Sequence, residues 1–166
     1  FVNTTDAPIF RVEEALLNYA EASYELGNFD QAVADLTINR LRKRIKMPDM
    51  IVADIDASFD LNRDSEVEPL LWEIRRERRV ELMGEGFRFN DLRRWKKGNY
   101  LNKQQLGMWA DNSKYGNKLT ISGGGAEGYV EYNTTPLGWL EYYYLYPLPK
   151  DQMVLNKSLV QNPDWK

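Results

Sequence analysis

The chain has 166 residues, enough for one domain with its own core, and its 43% apolar and 28% charged residues are the composition of a folded chain. A net charge of −3 supplies no basic field for nucleic acid, and no apolar run is long enough to span a bilayer. With neither cysteine nor histidine, the sequence excludes disulfides, Cys/His zinc sites and histidine-dependent nucleophiles. Carboxylate, lysine and hydroxyl chemistry remain, and no motif calls for a cofactor. The opening FVNTTDAPIF has neither an initiator Met nor a signal-peptide pattern, which predicts a fragment or processed product with its targeting information upstream.

The first long helix is predicted over 9–26, where Val12, Leu16, Ala20 and Tyr24 recur every four residues and Ala15, Ala22 and Leu26 widen the stripe. Gly27-Asn28 ends it, because glycine takes the left-handed conformation needed just past a helix. A second helix is predicted over 31–45, with Asp30 as N-cap, an apolar stripe of Ala34, Ile38, Leu41 and Ile45, and Pro48 beyond its end. The short turn makes an antiparallel pair in which the small residues Ala20 and Ala32 allow close packing. Ala20, Gly27, Phe29, Ala32 and Leu36 fit one tetratricopeptide-type unit, though Asn39 stands where that pattern wants a small apolar residue. A plain helical hairpin fits the same residues.

Residues 46–68 form an acidic connection. Within it Asp60, Asn62 and Asp64 have the spacing that opens a calcium loop, but Ser65 and Leu71 stand where such a loop needs Gly and Glu. The pattern reads better as a solvated loop than as a metal clip. A third helix is predicted from Pro69 to the Gly84-Glu85-Gly86 break, and a shorter one over 89–95. Beyond 98 the periodicity fades. KLTISGGGAEGYVEY predicts two short strands around a loop, and LEYYYLYPLP an extended segment in which some of Tyr142, Tyr143, Tyr144 and Tyr146 turn inward.

ERRVELMGEGFRFNDLRRW, residues 77–95, packs four carboxylates and five arginines among apolar residues. On a helical wheel Glu77, Glu81 and Glu85 continue the band begun by Leu70 and Ile74, with Leu71, Arg78 and Leu82 on its flank. Acids on a face that starts apolar point toward packed protein, and a lone buried charge is very costly. The pattern therefore predicts a structural ion-pair network of Glu77, Arg78, Glu81, Glu85, Arg88, Asp91, Arg93 and Arg94, with Arg88, Arg93 and Arg94 as the nearest partners for the acids. Paired carboxylates could instead serve a glycosidase, which needs two acids across a cleft rather than stacked on one helix face among arginines. The arginines form no unbroken basic patch for a nucleic acid.

This stretch resembles the signature of the SusD/RagB family, a Glu-Arg-Arg-x-Glu-Leu, Glu-Gly-x-Arg, Asp-Leu-x-Arg-Trp series. ALLNYAEASYELGNFDQA, INRLRKRIKMP and YPLPKDQMVLNKSLVQNPDW are similar to three further family blocks, in the same order. Departures fall at Asn90, at Asn156-Lys157-Ser158 and at Asp164, and touch turn chemistry more than identity. The resemblance implies a mainly α fold: a tetratricopeptide-like helix pair (9–45), charged signature helices (69–95), and irregular loops with a small β-hairpin (98–150). It implies a single domain over 1–166, matching the C-terminal part of longer relatives.

The resemblance further implies a non-enzymatic, surface-exposed lipoprotein of the Bacteroidetes outer membrane. Such a protein binds glycans, or peptides in some relatives, and passes them to a SusC-type TonB-dependent transporter. Its only membrane attachment is a lipidated cysteine upstream of this sequence. The 13% aromatic content suits sugar stacking, and the candidates in the pattern-poor region are Trp109, Tyr115, Tyr129, Tyr132 and Trp139. Aromatics at such positions also serve as core. A tetratricopeptide-like interaction scaffold is the alternative function, and a carboxylate-dependent glycosidase a more distant one.

Overall fold

Helix α1 (Val12–Glu25) buries Leu17, Ala20, Glu21 and Ser23, while Val12 and Leu26 stay exposed. The buried stripe is therefore rotated one position from the expected one and centres on 17/20/21/24, the face that meets α2 (Gln31–Leu36), α3 (Ile38–Arg44) and α4 (Pro69–Glu81). The computed structural model describes residues 10–131, 136 and 138–165. The chain divides into two compact units, Phe1–Arg88 and Phe89–Lys166, with the boundary inside α5 (Phe87–Arg94).

In the first unit, Gly27 ends α1 with φ +72°, and the Asn28 amide donates back to the Ser23 carbonyl at 2.8 Å. Asp30 caps α2 as expected, its carboxylate accepting the Val33 amide at 2.9 Å. The single second helix expected over 31–45 is instead two. Thr37 leaves the helical region (φ −113°, ψ −90°) as its hydroxyl donates to the Val33 carbonyl at 2.6 Å. Such back-bonding by a β-branched hydroxyl residue competes with the helix ladder and bends it. The break turns Thr37, Ile38, Asn39 and Arg42 inward together and leaves Ala32 and Ile45 outside. Leu17, Ala20, Ala34, Ile38, Leu41, Met50, Ile74 and Leu82 form the core. Each fully buried Leu or Ile there contributes about 1.5–3 kcal/mol relative to exposure.

Helix α4 starts with Pro69 in its first turn and closes at Leu82, before Gly84 and Gly86, both at positive φ. In the second unit Leu92, Ala110 and Ile121 are buried. Strand β1 (Trp109–Asp111) pairs antiparallel with β2 (Glu127–Tyr129) in the register Trp109↔Tyr129, Ala110↔Gly128, Asp111↔Glu127, and an isolated bridge joins Ile121 to Val130. The first strand thus lies upstream of the segment from which it was expected. Residues 118–122 form no strand of their own; Ile121 makes the bridge to Val130, and the Thr120 carbonyl accepts the Glu131 amide at 2.8 Å. The tyrosine run expected to be extended begins as a 3-10 turn, Glu141–Tyr144, and the chain ends with α6 (Lys150–Leu155). Among the described residues, the architecture is mainly helical with one small hairpin, and no helix is long and apolar enough to cross a membrane.

Candidate functional site

The hairpin is built by its register. Val130 accepts from the Gly107 amide and donates to the Met108 carbonyl, so two residues face one and the strand bulges there. The Asn112 amide donates to Ala126 at 2.9 Å. With ladder bonds at 108/130 and 112/126, the pairs Trp109/Tyr129 and Asp111/Glu127 fall on the narrow, non-hydrogen-bonded positions where side chains approach most closely. Alternation puts Ala110 and Gly128 on the other, buried face. A Cβ on Gly128 would sit 2.8 Å from the Ile121 side chain, so only glycine lets the ribbon lie down on that residue.

The far end of β1 is equally constrained. Asp111 accepts from the Ser113 hydroxyl and amide, at 2.6 and 3.0 Å, and the hydroxyl above all holds its carboxyl below the ordinary range. The Asn112 side chain clasps both the amide and the carbonyl of Leu119 at 2.9 Å, which closes the 112–119 loop.

The structure brings two of the five sequence-predicted aromatics together. Trp109 and Tyr129, 61% and 48% exposed, meet edge to face with ring centroids 5.1 Å apart and planes at 88°. Tyr115 is exposed at the end of a 3-10 turn. Trp139 belongs to a different group, tilted on Tyr144 at 4.9 Å and on Phe89 at 5.7 Å and edge-on to Tyr143 at 5.6 Å, with Gly98 against its indole. Tyr132 lies outside the described residues. Of the tyrosine run, Tyr142, Tyr143 and Tyr144 are half-buried and Tyr146 is exposed with the Arg93 guanidinium 3.7 Å above its ring.

The acids of α4 meet arginines of their own helix, of α3 and of the residue before α1. In the first unit, one terminal nitrogen of Arg42 donates to Glu73 at 2.8 Å and to Glu77 at 2.7 Å, and Arg76 reaches both from the same helix. Glu81 accepts from Arg44 and Arg11, Glu13 pairs with both of those arginines, and Arg11 also pairs with Glu85. Arg78 donates to Asn18 at 2.8 Å and lies over the Phe87 ring. In the second unit Arg94 pairs with Asp91 at 2.9 Å, and Arg93 donates to the carbonyls of Tyr143 and Tyr144. Arg88 is also engaged.

Sequence reasoning missed Arg11, Glu13, Arg42, Arg44, Glu73 and Arg76 as members of the network. Glu73 lies one turn before Glu77 on the same band, so extending the four-residue period would have found it.

The calcium-like triplet is occupied by local bonds. Asp60 accepts the Asn62 amide and the Trp72 indole N–H, both at 2.8 Å, and Asp64 accepts the Glu66 amide at 2.9 Å. The indole N–H, ahead of the Asn62 amide, holds the Asp60 carboxyl below its usual range. Among the described residues, no group of three or more carboxylates converges as a metal site would require.

Residues 2–165 match the SusD family. The chain belongs to it. Solved structures share its fold. One is BT4246, with 28% identity and a TM-score of 0.64 over 99% of this chain and 26% of that one. A SusD-like protein (BF3747) from Bacteroides fragilis has 27% identity and a TM-score of 0.60, covering 95% of this chain and 25% of its own. A SusD-like carbohydrate binding protein (BF0978) from the same species has 26% identity and a TM-score of 0.59, covering 91% of this chain and 28% of its own. This SusD-family chain therefore spans about a quarter of the length of these relatives. No curated protein matches it.

Proposed function

We propose that this chain is part of a cell-surface glycan-binding protein that holds its ligand without turning it over. Family membership over residues 2–165 carries the reading, supported by the carbohydrate binding for which the relative BF0978 is named. In this reading the protein is a lipoprotein of a Bacteroidetes-type outer membrane, anchored through a lipidated cysteine outside this sequence. It passes its glycan to a SusC-type TonB-dependent transporter. The exposed aromatics of the hairpin, Trp109 and Tyr129, are its best-placed sugar contacts, with Tyr115 nearby in sequence. The charged residues of α4 serve the fold, since the carboxylates of Glu73, Glu77 and Glu81 each pair with arginines.

Titration calorimetry of the full-length protein against a glycan panel, with product analysis of the same mixtures, tests this. Saturable binding with the glycan recovered intact is expected. Hydrolysis would replace the reading with the glycosidase, and affinity for the transporter without any glycan would replace it with the scaffold.

A further inference from the structure

The hairpin presents two kinds of side chain on one exposed face. Its register sets the aromatic pair Trp109/Tyr129 directly beside the carboxylate pair Asp111/Glu127, one two-residue step along the ribbon, or about 7 Å. Two like charges directly across a non-hydrogen-bonded position destabilise a ribbon, and two large rings left in water forgo their burial. An aromatic cross-strand pair does stabilise a hairpin. That role explains neither the exposure of both rings nor the opposed acids.

The two carboxylates differ in how they are held. Asp111 has one oxygen fixed by the amide and hydroxyl of Ser113, and Lys114 approaches the other at 3.6 Å. Glu127 is exposed, and no ion-pair partner for it occurs among the described residues. Asp111 and Glu127 thus bring two negative charges to this face, with Lys114 beside Asp111, and each carboxylate keeps oxygens able to accept hydrogen bonds.

Rings at right angles form a corner in which a flat apolar surface can lie on one ring while the edge of the other bounds it. The faces of a pyranose are such a surface, and its hydroxyls are donors suited to ionised carboxylates.

We propose that this face of the hairpin is a subsite selective for neutral oligosaccharides. One sugar ring stacks in the Trp109/Tyr129 corner, the neighbouring sugar donates hydroxyl hydrogen bonds to Asp111 and Glu127, and those charges repel glycans bearing carboxylate or sulfate groups. The inference rests on the glycan-binding reading and adds to it a place and a charge class.

The test is calorimetry on the full-length protein with neutral glucan, mannan and galactan oligosaccharides, oligogalacturonate, and chondroitin sulfate oligosaccharides. The tightest ligand is expected among the neutral sugars. Trp109→Ala should weaken it at least tenfold. Glu127→Lys, an exposed change that does not depend on the aromatic corner, should weaken the neutral ligand several-fold and raise affinity for oligogalacturonate. Unchanged binding in both Trp109→Ala and Glu127→Lys would overturn the subsite while leaving glycan binding by the protein intact. An acidic glycan as the tightest ligand would overturn the charge class. A parent protein that binds no glycan would remove the function and the subsite together.

Discussion

Arg42 and Glu73 form a buried ion pair that joins α3 to α4, with N–O distance 2.8 Å and side chains 9% and 1% exposed. The same Arg42 nitrogen serves Glu77, and another terminal nitrogen donates to the Pro48 carbonyl at 3.3 Å. One guanidinium thus ties two helices and the loop between them. Its worth lies in pairing rather than in burial as such, because both charges have lost their water.

Arg42→Ala leaves Glu73 and Glu77 facing Arg76 alone, and breaking a buried pair from one side costs about 3–5 kcal/mol. The loss is expected in urea unfolding of the variant. Arg42→Lys keeps the charge but not the fork that spans three acceptors, and should fall between the two. A lysine variant as stable as the parent would mean that charge alone, not the planar fork, holds this junction.

Asn39 carries a second prediction and explains a misfit. In the tetratricopeptide pattern its position is small and apolar, yet the side chain is fully buried and clips the connection after α3. Its oxygen accepts the Met50 amide at 2.6 Å, and its nitrogen donates to the Met50 carbonyl at 3.1 Å and to Asp35 at 2.7 Å. Asn39→Ala leaves the buried Met50 amide unmet, at about 1–3 kcal/mol, while the Met50 carbonyl keeps the Gln31 side-chain amide at 2.9 Å. Hydrogen exchange at the Met50 amide should accelerate well beyond that at α1 amides. The Asp35 carboxyl, held low chiefly by Asn39, should titrate higher in the variant.

These two residues show how far the sequence could be read. Helix periods, the Asp30 cap, the Gly27 stop and the charged band were legible because each rests on local chemistry within a few residues. The partners of the band were not, since Arg42 and Glu73 are 31 positions apart and no local rule links them. Thr37 hid the break between α2 and α3, because its hydroxyl can either tolerate or bend a helix and tertiary packing decides which. Trp109 and Tyr129 could be named from the sequence as candidates, with a core role equally open. Their pairing, and the carboxylates beside them, needed the register, which a one-residue slip would have reversed.

Two glycines give a third prediction through opposite mechanisms. At Gly98 an added Cβ would land inside the Trp139 indole, while the Gly98 amide donates to the Tyr144 hydroxyl at 2.9 Å. Gly98→Ala must push Trp139 away, an overpacking cost of about 1–3 kcal/mol with loss of near-ultraviolet circular dichroism from the aromatic group. Gly84 has φ +84° and open space around its Cβ position. Gly84→Ala should cost roughly 1–2 kcal/mol from backbone strain alone and leave the aromatic signal unchanged. If both variants altered that signal equally, steric contact would not be what distinguishes them.

The last prediction concerns pH and the loop before α4. The Trp72 indole N–H donates to Asp60 at 2.8 Å and is the foremost cause of its lowered carboxyl pKa, followed by the Asn62 amide. A carboxyl whose pKa is lower folded than unfolded stabilises the fold above the unfolded value, about 3.9 for Asp. That contribution is lost as pH falls through the folded value. Trp72→Phe removes the foremost donor, so the Asp60 carboxyl should titrate closer to its ordinary value and its share of stability above that value should shrink. Asp56 is the internal control, because its carboxyl is held low chiefly by the Ser58 hydroxyl and should not move. Carboxyl-carbon NMR titration of both proteins reads the two groups separately. An unchanged Asp60 midpoint in Trp72→Phe would show that the Asn62 amide and the nearby arginines hold that carboxyl without the indole.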